Sequence, residues 1–342
     1  KNLINHPLWD REELIQADIQ LGHIYSEIVL DLLEKLNLKP SEIGAIGSHG
    51  QTIFHQPNGL YRSSIQIGDP NIISSKTGIK TISDFRRRDM AEGGQGAPLV
   101  PLFHEYLFQD KNKNRIILNL GGIANITILI PGQPVLGYDT GPANILIDTY
   151  CQLRGLGEFD AGGVLASQGQ VDLEILNFLL QDPYFLLKAP KSSGREKFNL
   201  SWLEKKLLEL GTNLNNLKDQ DVLALLTELT ARSISEEIGR VGVDLCVHPG
   251  AQRVSLKKEL IVGGGGARND FLLSRLKFLL PDWEVLTTDF LSQSLDLDLN
   301  SAWIEAQAFA YFAMRTCFNL PSNMPSVTGA VRPVVLGVMS HG

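Results

Sequence analysis

The stretch RIILNLGGIANITILI at residues 115–130 indicates the fold class. Two apolar runs of strand-like composition flank Gly121-Gly122, a two-residue pattern typical of a β-hairpin. VLGYDT at 135–140 predicts the next strand, and KELIVGGGGARNDFLLSRLKFLL at 258–280 predicts a strand, a glycine turn and a helix. Strands and helices that alternate in this way favour a sheet covered by helices.

The same alternation precedes residue 115. Apolar spacing predicts a long helix over 11–36, strands at 43–46 and 79–83, a short helix over 70–77 and a helix opened by Pro98. Later helices are predicted over 144–153, 172–180, 221–239 and 301–317, with a strand at 284–288 and a polar connection over 181–199. We therefore expect an α/β protein of two similar halves with a ligand cleft between them.

Composition excludes several classes of protein. A net charge of −7 over 342 residues argues against a nucleic-acid partner. No apolar run reaches the ~18–20 residues that a membrane span requires, and residues 1–14 have no apolar signal-peptide core. Cys151, Cys246 and Cys317 are widely separated, which is typical of a reducing compartment without disulfide or zinc sites. We expect a cytoplasmic enzyme.

Two glycine motifs have both a structural and a functional interpretation. The glycines at 263–266 follow a strand and precede a helix, so they either approach an anionic ligand or form a tight turn with a packing role. Gly121-Gly122 is either an ordinary hairpin turn or a tip lying close to phosphates. A P-loop is excluded, because the chain has no GxxxxGK[S/T].

Charged and polar motifs also remain open at this stage. Asp139 is predicted at a strand end before Gly141-Pro142, as a site carboxylate or as the cap of the next helix. The run RRRD at 86–89 is either a solvated loop or a clamp for a carboxylate or phosphate. His49 has no local nucleophile beside it, and no GxSxG elbow supports a hydrolase.

Ten ordered segments between residues 47 and 330 resemble the anhydro-N-acetylmuramic acid kinase family. They include GSHGQTIFHQP (47–57), SDFRRRDMAEGGQGAPLVPLFH (83–104), NLGGIANIT (119–127), YDTGPANILID (138–148), PKSSGREKFN (190–199) and IVGGGGARND (261–270). The resemblance implies two actin-like, ribonuclease-H-like domains around an interdomain nucleotide cleft. We expect 1–114 joined by 301–342 as the first domain and 115–300 as the second. The resemblance also implies a reaction in which ATP and water convert 1,6-anhydro-N-acetylmuramic acid to N-acetylmuramic acid 6-phosphate.

The resemblance assigns roles to particular residues. It implies that Asp139 is the catalytic base. It also implies that Mg²⁺ accompanies ATP, although it assigns no residue to the metal, and it suggests a homodimer. The nucleotide set that it implies is Gly121, Gly122, Asn125, Gly263, Gly264, Gly265 and Gly266. The substrate set is His49, Arg86, Arg87, Arg88, Asp89, Asn144 and Glu305, in which contact between the arginines and the sugar's lactyl carboxylate is a hypothesis.

One feature departs from the family pattern. The family begins with a phosphate-binding hairpin, MSGTSxDG, and nothing in residues 1–40 matches it. This predicts a truncated chain with exposed strand edges, poor stability and no activity. Two alternatives therefore stand beside the main prediction: another amino-sugar kinase without ring opening, or a non-catalytic relative that binds sugar or nucleotide.

Overall fold

The computed structural model describes residues 11–189, 191–244, 256–295 and 303–342. The chain forms two compact units, one joining Lys1–Tyr106 to Trp303–Gly342 and the other spanning Leu107–Ala302. A division after residue 114, as expected from the sequence, would cut the first strand of the second unit. None of the described helices is long and apolar enough to cross a bilayer. Cys151 and Cys317 are free thiols, and Cys246 lies outside the described residues.

Ten strands are described, and their bounds follow in chain order. They are β1 (Ile46–Gly47), β2 (Gln51–Gln56), β3 (Ser63–Ile67), β4 (Thr81–Ser83), β5 (Lys113–Leu120), β6 (Ile123–Leu129), β7 (Leu136–Pro142), β8 (Lys257–Gly263), β9 (Glu284–Thr287) and β10 (Val338–Ser340).

The described helices are thirteen. They are α1 (Arg11–Leu36), α2 (Pro70–Thr77), α3 (Arg87–Ala91), α4 (Pro101–Phe108), α5 (Asn144–Arg154), α6 (Leu173–Leu180), α7 (Pro183–Leu186), α8 (Leu200–Glu209), α9 (Asp219–Asp244), α10 (Asp270–Leu279), α11 (Thr288–Leu295), α12 (Ile304–Cys317) and α13 (Pro325–Thr328).

The second unit is built on a five-stranded sheet in the order β7-β6-β5-β8-β9. Strand β6 runs antiparallel to both of its neighbours, while β5, β8 and β9 are parallel. Counted along the unit, the strands therefore lie in the order third, second, first, fourth, fifth, and only the second is reversed. This is the arrangement expected of a ribonuclease-H-like domain, and the prediction of an α/β fold is confirmed.

The two faces of this sheet have different roles. Alternate residues of β5, such as Ile116 and Leu118, pack in one apolar cluster with Ile234 of α9 and Leu272 of α10. The residues between them point to the opposite face, since side chains alternate along a strand. A second core lies among helices α5 to α9 and includes the buried Tyr150. One face of the sheet is thus packed against α9 and α10, while the opposite face carries both the buried Ile117 and the polar, half-buried Asn119.

The first unit contains a three-stranded sheet in the order β1-β4-β10 and a separate hairpin, β2–β3. Strand β10 comes from the C-terminal segment and pairs antiparallel with β4. Helix α2 begins as predicted, with Asp69 accepting a hydrogen bond from the Asn71 N–H and Pro70 at the first position. Gly78 ends it in the left-handed conformation.

Several element predictions need correction. The helix expected from Pro98 begins at Pro101, and the strand expected at 43–46 is Ile46–Gly47 after a short 3₁₀ turn. The hairpin β2–β3 and helix α8 were not predicted, and α7 lies within the expected polar connection. The helix predicted directly after the glycines starts only at Asp270, because a 3₁₀ turn intervenes. Residues 301 and 302 of the predicted last helix lie outside the described residues.

Candidate active site

A row of polar side chains crosses the second unit's sheet near the carboxyl ends of β5 and β8. Asn119 of β5 pairs with Gly263 of β8 on one side and with Asn125 of β6 on the other. Asn125 pairs in turn with Asp139 of β7. All three polar residues are half-buried, and within the described ranges the side-chain amides of Asn119 and Asn125 have no protein partner. Polar groups at this edge are well placed for a ligand, since open α/β sheets bind ligands beyond their carboxyl ends.

Gly121 and Gly122 form the turn of the β5–β6 hairpin next to this row. The Gly121 carbonyl accepts from the Asn144 N–H at 3.1 Å, and the Gly122 carbonyl accepts from the amides of Ala143 and Ile145. Neither glycine has a positive φ, and a Cβ added to either would meet no protein atom closer than 3.6 Å. The fold itself therefore does not require glycine here, which favours the phosphate-facing interpretation over an ordinary turn.

The glycines at 263–266 lie against the same hairpin. A Cβ at Gly264, which has φ +81°, would lie 2.6 Å from the Asn119 Oδ1, and a Cβ at Gly266 would lie 2.7 Å from the Leu120 Cβ. A Cβ at Gly265 would meet nothing closer than 3.9 Å. Close packing thus explains Gly264 and Gly266, whereas Gly265 leaves space on the open side of the loop.

A cavity of about 260 Å³ opens beside this glycine loop within the second unit. Six of its lining residues are Asn144, Asp148, Phe159, Gly265, Gly266 and Arg268. Burial raises the pKa of Asp148 to about 6. The cavity therefore combines an aromatic ring, a carboxylate and an exposed guanidinium, groups suited to a nucleoside.

Asp139 is held by three hydrogen bonds from one side. The Ser193 N–H donates to its Oδ2 at 2.9 Å, its own N–H donates to the Lys191 carbonyl at 3.1 Å, and the Tyr184 hydroxyl donates to its carbonyl at 2.9 Å. Burial raises the pKa of Asp139 to about 6; the Ser193 hydrogen bond lowers it and the charge of Glu196 raises it. A carboxyl group with this pKa is suited to general base catalysis near neutral pH.

The structure corrects two expectations about this aspartate. Strand β7 continues to Pro142, so Asp139 lies within the strand instead of at its end. The cap position of α5 is Ala143, which has no side-chain cap hydrogen bond. The interpretation of Asp139 as a helix cap is therefore wrong.

The first unit has its own polar cavity, of about 460 Å³. Six of its lining residues are Asp18, His49, Ser64, Gln66, Asp69 and Arg87. Donors and acceptors of this kind are suited to the hydroxyl and amide groups of a sugar. Of the predicted substrate residues, His49 and Arg87 line this cavity, whereas Asn144 lies with the glycine loops of the second unit.

His49, which lines this cavity, forms a half-buried pair with Arg86. The Arg86 Nε donates to the His49 Nε2 at 3.0 Å, and its Nη1 donates to the Gly96 carbonyl at 2.7 Å. Burial, reinforced by the charge of Arg86, lowers the pKa of His49 to about 4, so the ring is a neutral acceptor. Burial lowers the pKa of Arg86 to about 10, and the charge of Glu305, which is exposed in the first turn of α12, acts in the opposite direction. Arg86 therefore orients His49.

The predicted clamp of three adjacent guanidinium groups is not formed. Arg86 points inward, while Arg87 lies at the cavity with its Nε 2.7 Å from the Asp84 Oδ2. The Arg88 side chain is 57% exposed, and its Nη2 lies 3.7 Å from a carboxylate oxygen of Glu92. Residues 87–91 form helix α3, in which consecutive side chains do not face one another, so Arg87 and Arg88 point in different directions.

Asp89 has a structural role in place of the predicted substrate contact. It is fully buried and accepts hydrogen bonds from the Gly96 N–H, the Thr328 hydroxyl and the Asn323 amide at 2.7–2.8 Å. These contacts fasten the glycine-rich turn after α3 to the C-terminal segment. Asp89 therefore has no oxygen turned toward a ligand in this structure.

A metal site can be tested on the donors present. Among the described residues, no group of three or more histidine, cysteine, aspartate or glutamate side chains is arranged to hold a metal ion. Mg²⁺ in phosphoryl-transfer sites keeps several waters and is held by one or two carboxylates together with substrate phosphates, so it does not need such a cluster.

Fold and cavities together define a class: an α/β protein of two units, with a glycine-lined cavity in the second unit and a separate polar cavity in the first. The chain belongs to the anhydro-N-acetylmuramic acid kinase family, whose family model matches residues 6–342. It is a phosphotransferase that uses ATP, as the sequence predicted, and the two alternative functions are not favoured.

Curated relatives agree with this assignment. The chain is 46% identical over 96% of its length to the anhydro-N-acetylmuramic acid kinase of Vibrio vulnificus, and the match covers 83% of that protein. It is 47% identical over 95% of its length to that of Photobacterium profundum, with 82% covered, and 44% identical over 96% to that of Coxiella burnetii, with 82% covered. The matches cover 82–83% of each relative's own length, and the expectation of an inactive, truncated chain stays a prediction.

Solved structures align more loosely. A xylulose kinase from Rhodospirillum rubrum aligns at 14% identity with a TM-score of 0.36, covering 71% of this chain and 48% of that chain. A putative N-acetylmannosamine kinase from Listeria monocytogenes aligns at 13% identity with a TM-score of 0.35, covering 85% and 87%. Alignments this weak have no bearing on function.

Proposed function

We propose that the chain opens 1,6-anhydro-N-acetylmuramic acid with water and phosphorylates O6, with Asp139 as the general base. The observation that supports this role is the setting of the carboxylate. It is half-buried, held by the Ser193 N–H, and in register with Asn125 beside the glycine loops. A pKa of about 6 leaves Asp139 mostly ionised at pH 7 yet basic enough to accept a proton.

One carboxylate is sufficient for the proposed chemistry. Asp139 removes a proton from water while the water oxygen attacks C1, and the C1–O6 bond breaks. O6 attacks the γ-phosphorus, and the bond from phosphorus to the bridging oxygen of ADP breaks in line. In ordinary glycosidases a second carboxylic acid protonates the leaving oxygen. Here the phosphoryl group takes that part.

The second unit supplies the proposed nucleotide site. Gly121 and Gly122 leave space for phosphate oxygens to approach backbone N–H groups, with Asn125 beside them. The cavity lined by Gly265, Gly266 and Asp148 would take the adenosine, with Gly263 and Gly264 shaping the loop. Mg²⁺ would accompany the phosphates and neutralise charge on them.

The first unit supplies the proposed sugar site. Arg87 lines its cavity and is suited to the lactyl carboxylate, since a guanidinium can donate two parallel hydrogen bonds. Neutral His49 would contact the sugar, oriented by Arg86 and influenced by Glu305. We also propose a cytoplasmic location, a homodimer and the absence of a nucleic-acid partner, the last of which the net charge of −7 favours.

The test is turnover of the full chain with ATP, magnesium and the anhydro sugar in ¹⁸O water. Label is expected at C1 of the product and not in the phosphate. Asp139→Asn should abolish ring opening and ATP consumption together while leaving ATP binding intact. Asp282→Asn, an exposed change of the same charge, serves as the control. Substantial turnover by Asp139→Asn, or label in the phosphate, would contradict the proposal.

A further inference from the structure

A buried ion pair lies one step behind Asp139, in a part of the second unit that the proposed reaction does not use. The Lys191 Nζ is 2.6 Å from the Glu237 Oε1, and both side chains are at most 6% exposed. Lys191 belongs to the connection between α7 and α8, whereas Glu237 lies on α9. The Lys191 ammonium also lies 5.1 Å from the centre of the Tyr184 ring.

Stability alone explains this pair poorly. Desolvating two charges costs several kcal/mol each, and replacing a buried ion pair by apolar groups is often neutral or stabilising. A buried pair can instead fix one arrangement of the chain. Among the described residues, the connection around Lys191 forms no strand and meets the sheet through its hydrogen bonds to Asp139 of β7, so it needs such a constraint.

The contacts of this connection converge on Asp139. The Lys191 carbonyl accepts from the Asp139 N–H, and two residues later the Ser193 N–H donates to the Asp139 carboxylate. Tyr184, over which the Lys191 ammonium lies, donates its hydroxyl to the Asp139 carbonyl. On the far side, Arg240 contacts Glu237 and donates to the Phe185 carbonyl at 2.7 Å. On the Lys191 side, the links from the ion pair thus lead to the backbone and the carboxylate of Asp139.

We infer that the Lys191–Glu237 ion pair is a positioning device that holds residues 191–193 so that the Ser193 amide keeps the Asp139 carboxylate in its reactive orientation. This inference rests on the proposed role of Asp139 as the base. Lys191 and Glu237 do not touch the reacting atoms; they act through the backbone of a segment that does contact the base.

The electrostatic consequence has a definite sign. The Ser193 N–H stabilises the ionised carboxylate and lowers the pKa of Asp139, against burial and the charge of Glu196, which both raise it. Tyr184, whose pKa burial raises strongly, remains a protonated donor throughout. If residues 191–193 are released, the lowering contribution is lost and the pKa of Asp139 rises. The acidic limb of the rate profile then moves to higher pH.

The experiment compares full-length variants by kcat, KM, ATP affinity and the pH dependence of kcat/KM. Lys191→Met/Glu237→Gln removes both charges, so no unpaired charge is left buried. We expect roughly a tenfold to hundredfold fall in kcat, the range for a reacting group displaced by about 1 Å. ATP affinity should not change, and the acidic limb should shift upward. Lys257→Met/Glu284→Gln removes an exposed pair as the control.

Two results separate this inference from the proposed function. If Asp139→Asn is inactive but the double variant keeps the wild-type kcat and acidic limb, the positioning role is overturned while the base stands. If Asp139→Asn turns over normally, the proposed base itself fails. Should the double variant unfold, Lys191→Met alone replaces it, since Glu237 then keeps its ion pair with Arg240. An unshifted acidic limb in that variant would equally overturn the inference.

Discussion

Replacing Gly121 by alanine should leave the stability of the fold unchanged or slightly higher while it weakens ATP binding. The new Cβ would lie 3.6 Å from the Ile123 carbonyl oxygen and 3.7 Å from the Asn119 Nδ2, which are ordinary van der Waals distances. Because the φ of Gly121 is not positive, alanine is also compatible with the backbone. The free energy of unfolding should therefore stay equal or rise, by at most about 1 kcal/mol, since alanine reduces the entropy of the unfolded chain.

ATP binding should respond in the opposite direction. A phosphate oxygen held by the hairpin amides would lie about 3 Å from the nitrogen, where the added methyl group crowds it. Displacing the phosphate loses at least one charge-assisted hydrogen bond, worth about 1.5–3 kcal/mol. This corresponds to a rise in Kd of roughly tenfold to 150-fold.

The assay is calorimetric ATP binding beside denaturant unfolding of the same samples. Gly264→Ala is the contrasting variant. Its φ of +81° and the 2.6 Å approach to Asn119 should lower stability, with about 1–2 kcal/mol from the backbone alone. Gly239→Ala, exposed on α9 with nothing within 4 Å, is the matched control. Wild-type ATP affinity in a folded Gly121→Ala protein would refute the reasoning.

Three further predictions concern the first unit. Arg87→Met should raise the KM for the sugar about tenfold or more, because a charge-assisted hydrogen bond is lost. Arg88→Met removes an exposed side chain and should leave KM unchanged. Equal effects of the two variants in steady-state kinetics would contradict this prediction. Asp89→Ala leaves the Gly96 N–H, Asn323 and Thr328 unpaired, so unfolding should become easier by about 2–4 kcal/mol, and an unchanged denaturation midpoint would count against it. Burial lowers the pKa of His104 from 6.5 to about 4, so on acidification this histidine is protonated in the unfolded chain before it is protonated in the folded one. The free energy of unfolding should therefore fall as the pH drops from 6.5 toward 4, by at most about 3 kcal/mol. In denaturation experiments at several pH values, His104→Gln should reduce this dependence of stability on pH.

Local patterns in the sequence predicted much of this architecture. The hairpin signal at Gly121-Gly122, the cap at Asp69 and the stop at Gly78 are encoded by neighbouring residues, and each element forms as expected. The resemblance assigned Asn125 and both glycine motifs to one ligand, and the two glycine loops do lie against each other. Asn119 was missed as a site residue, although its position opposite Asn125 in a hairpin of known turn would have identified it.

Other features depend on partners far away in the chain. Asp89 was assigned to the sugar because its charged neighbours suggested a clamp, yet its partners Asn323 and Thr328 lie more than 230 residues later. The cavity beside Asp148 is formed by residues from three separate segments, and Lys191 meets Glu237 across 46 positions. No local pattern carries such contacts, because tertiary packing alone creates them.

Strand β10 joins the first unit's sheet from the opposite end of the chain, through its pairing with β4. During synthesis the second unit is a continuous segment and can acquire its sheet as soon as it leaves the ribosome. The first unit must wait for residues 303–342, and until they arrive β4 has an open edge and the turn after α3 lacks its anchor. A stalled or prematurely terminated chain would therefore present a finished second unit and an incomplete first unit with an open strand edge, and chaperones would be expected to engage that edge.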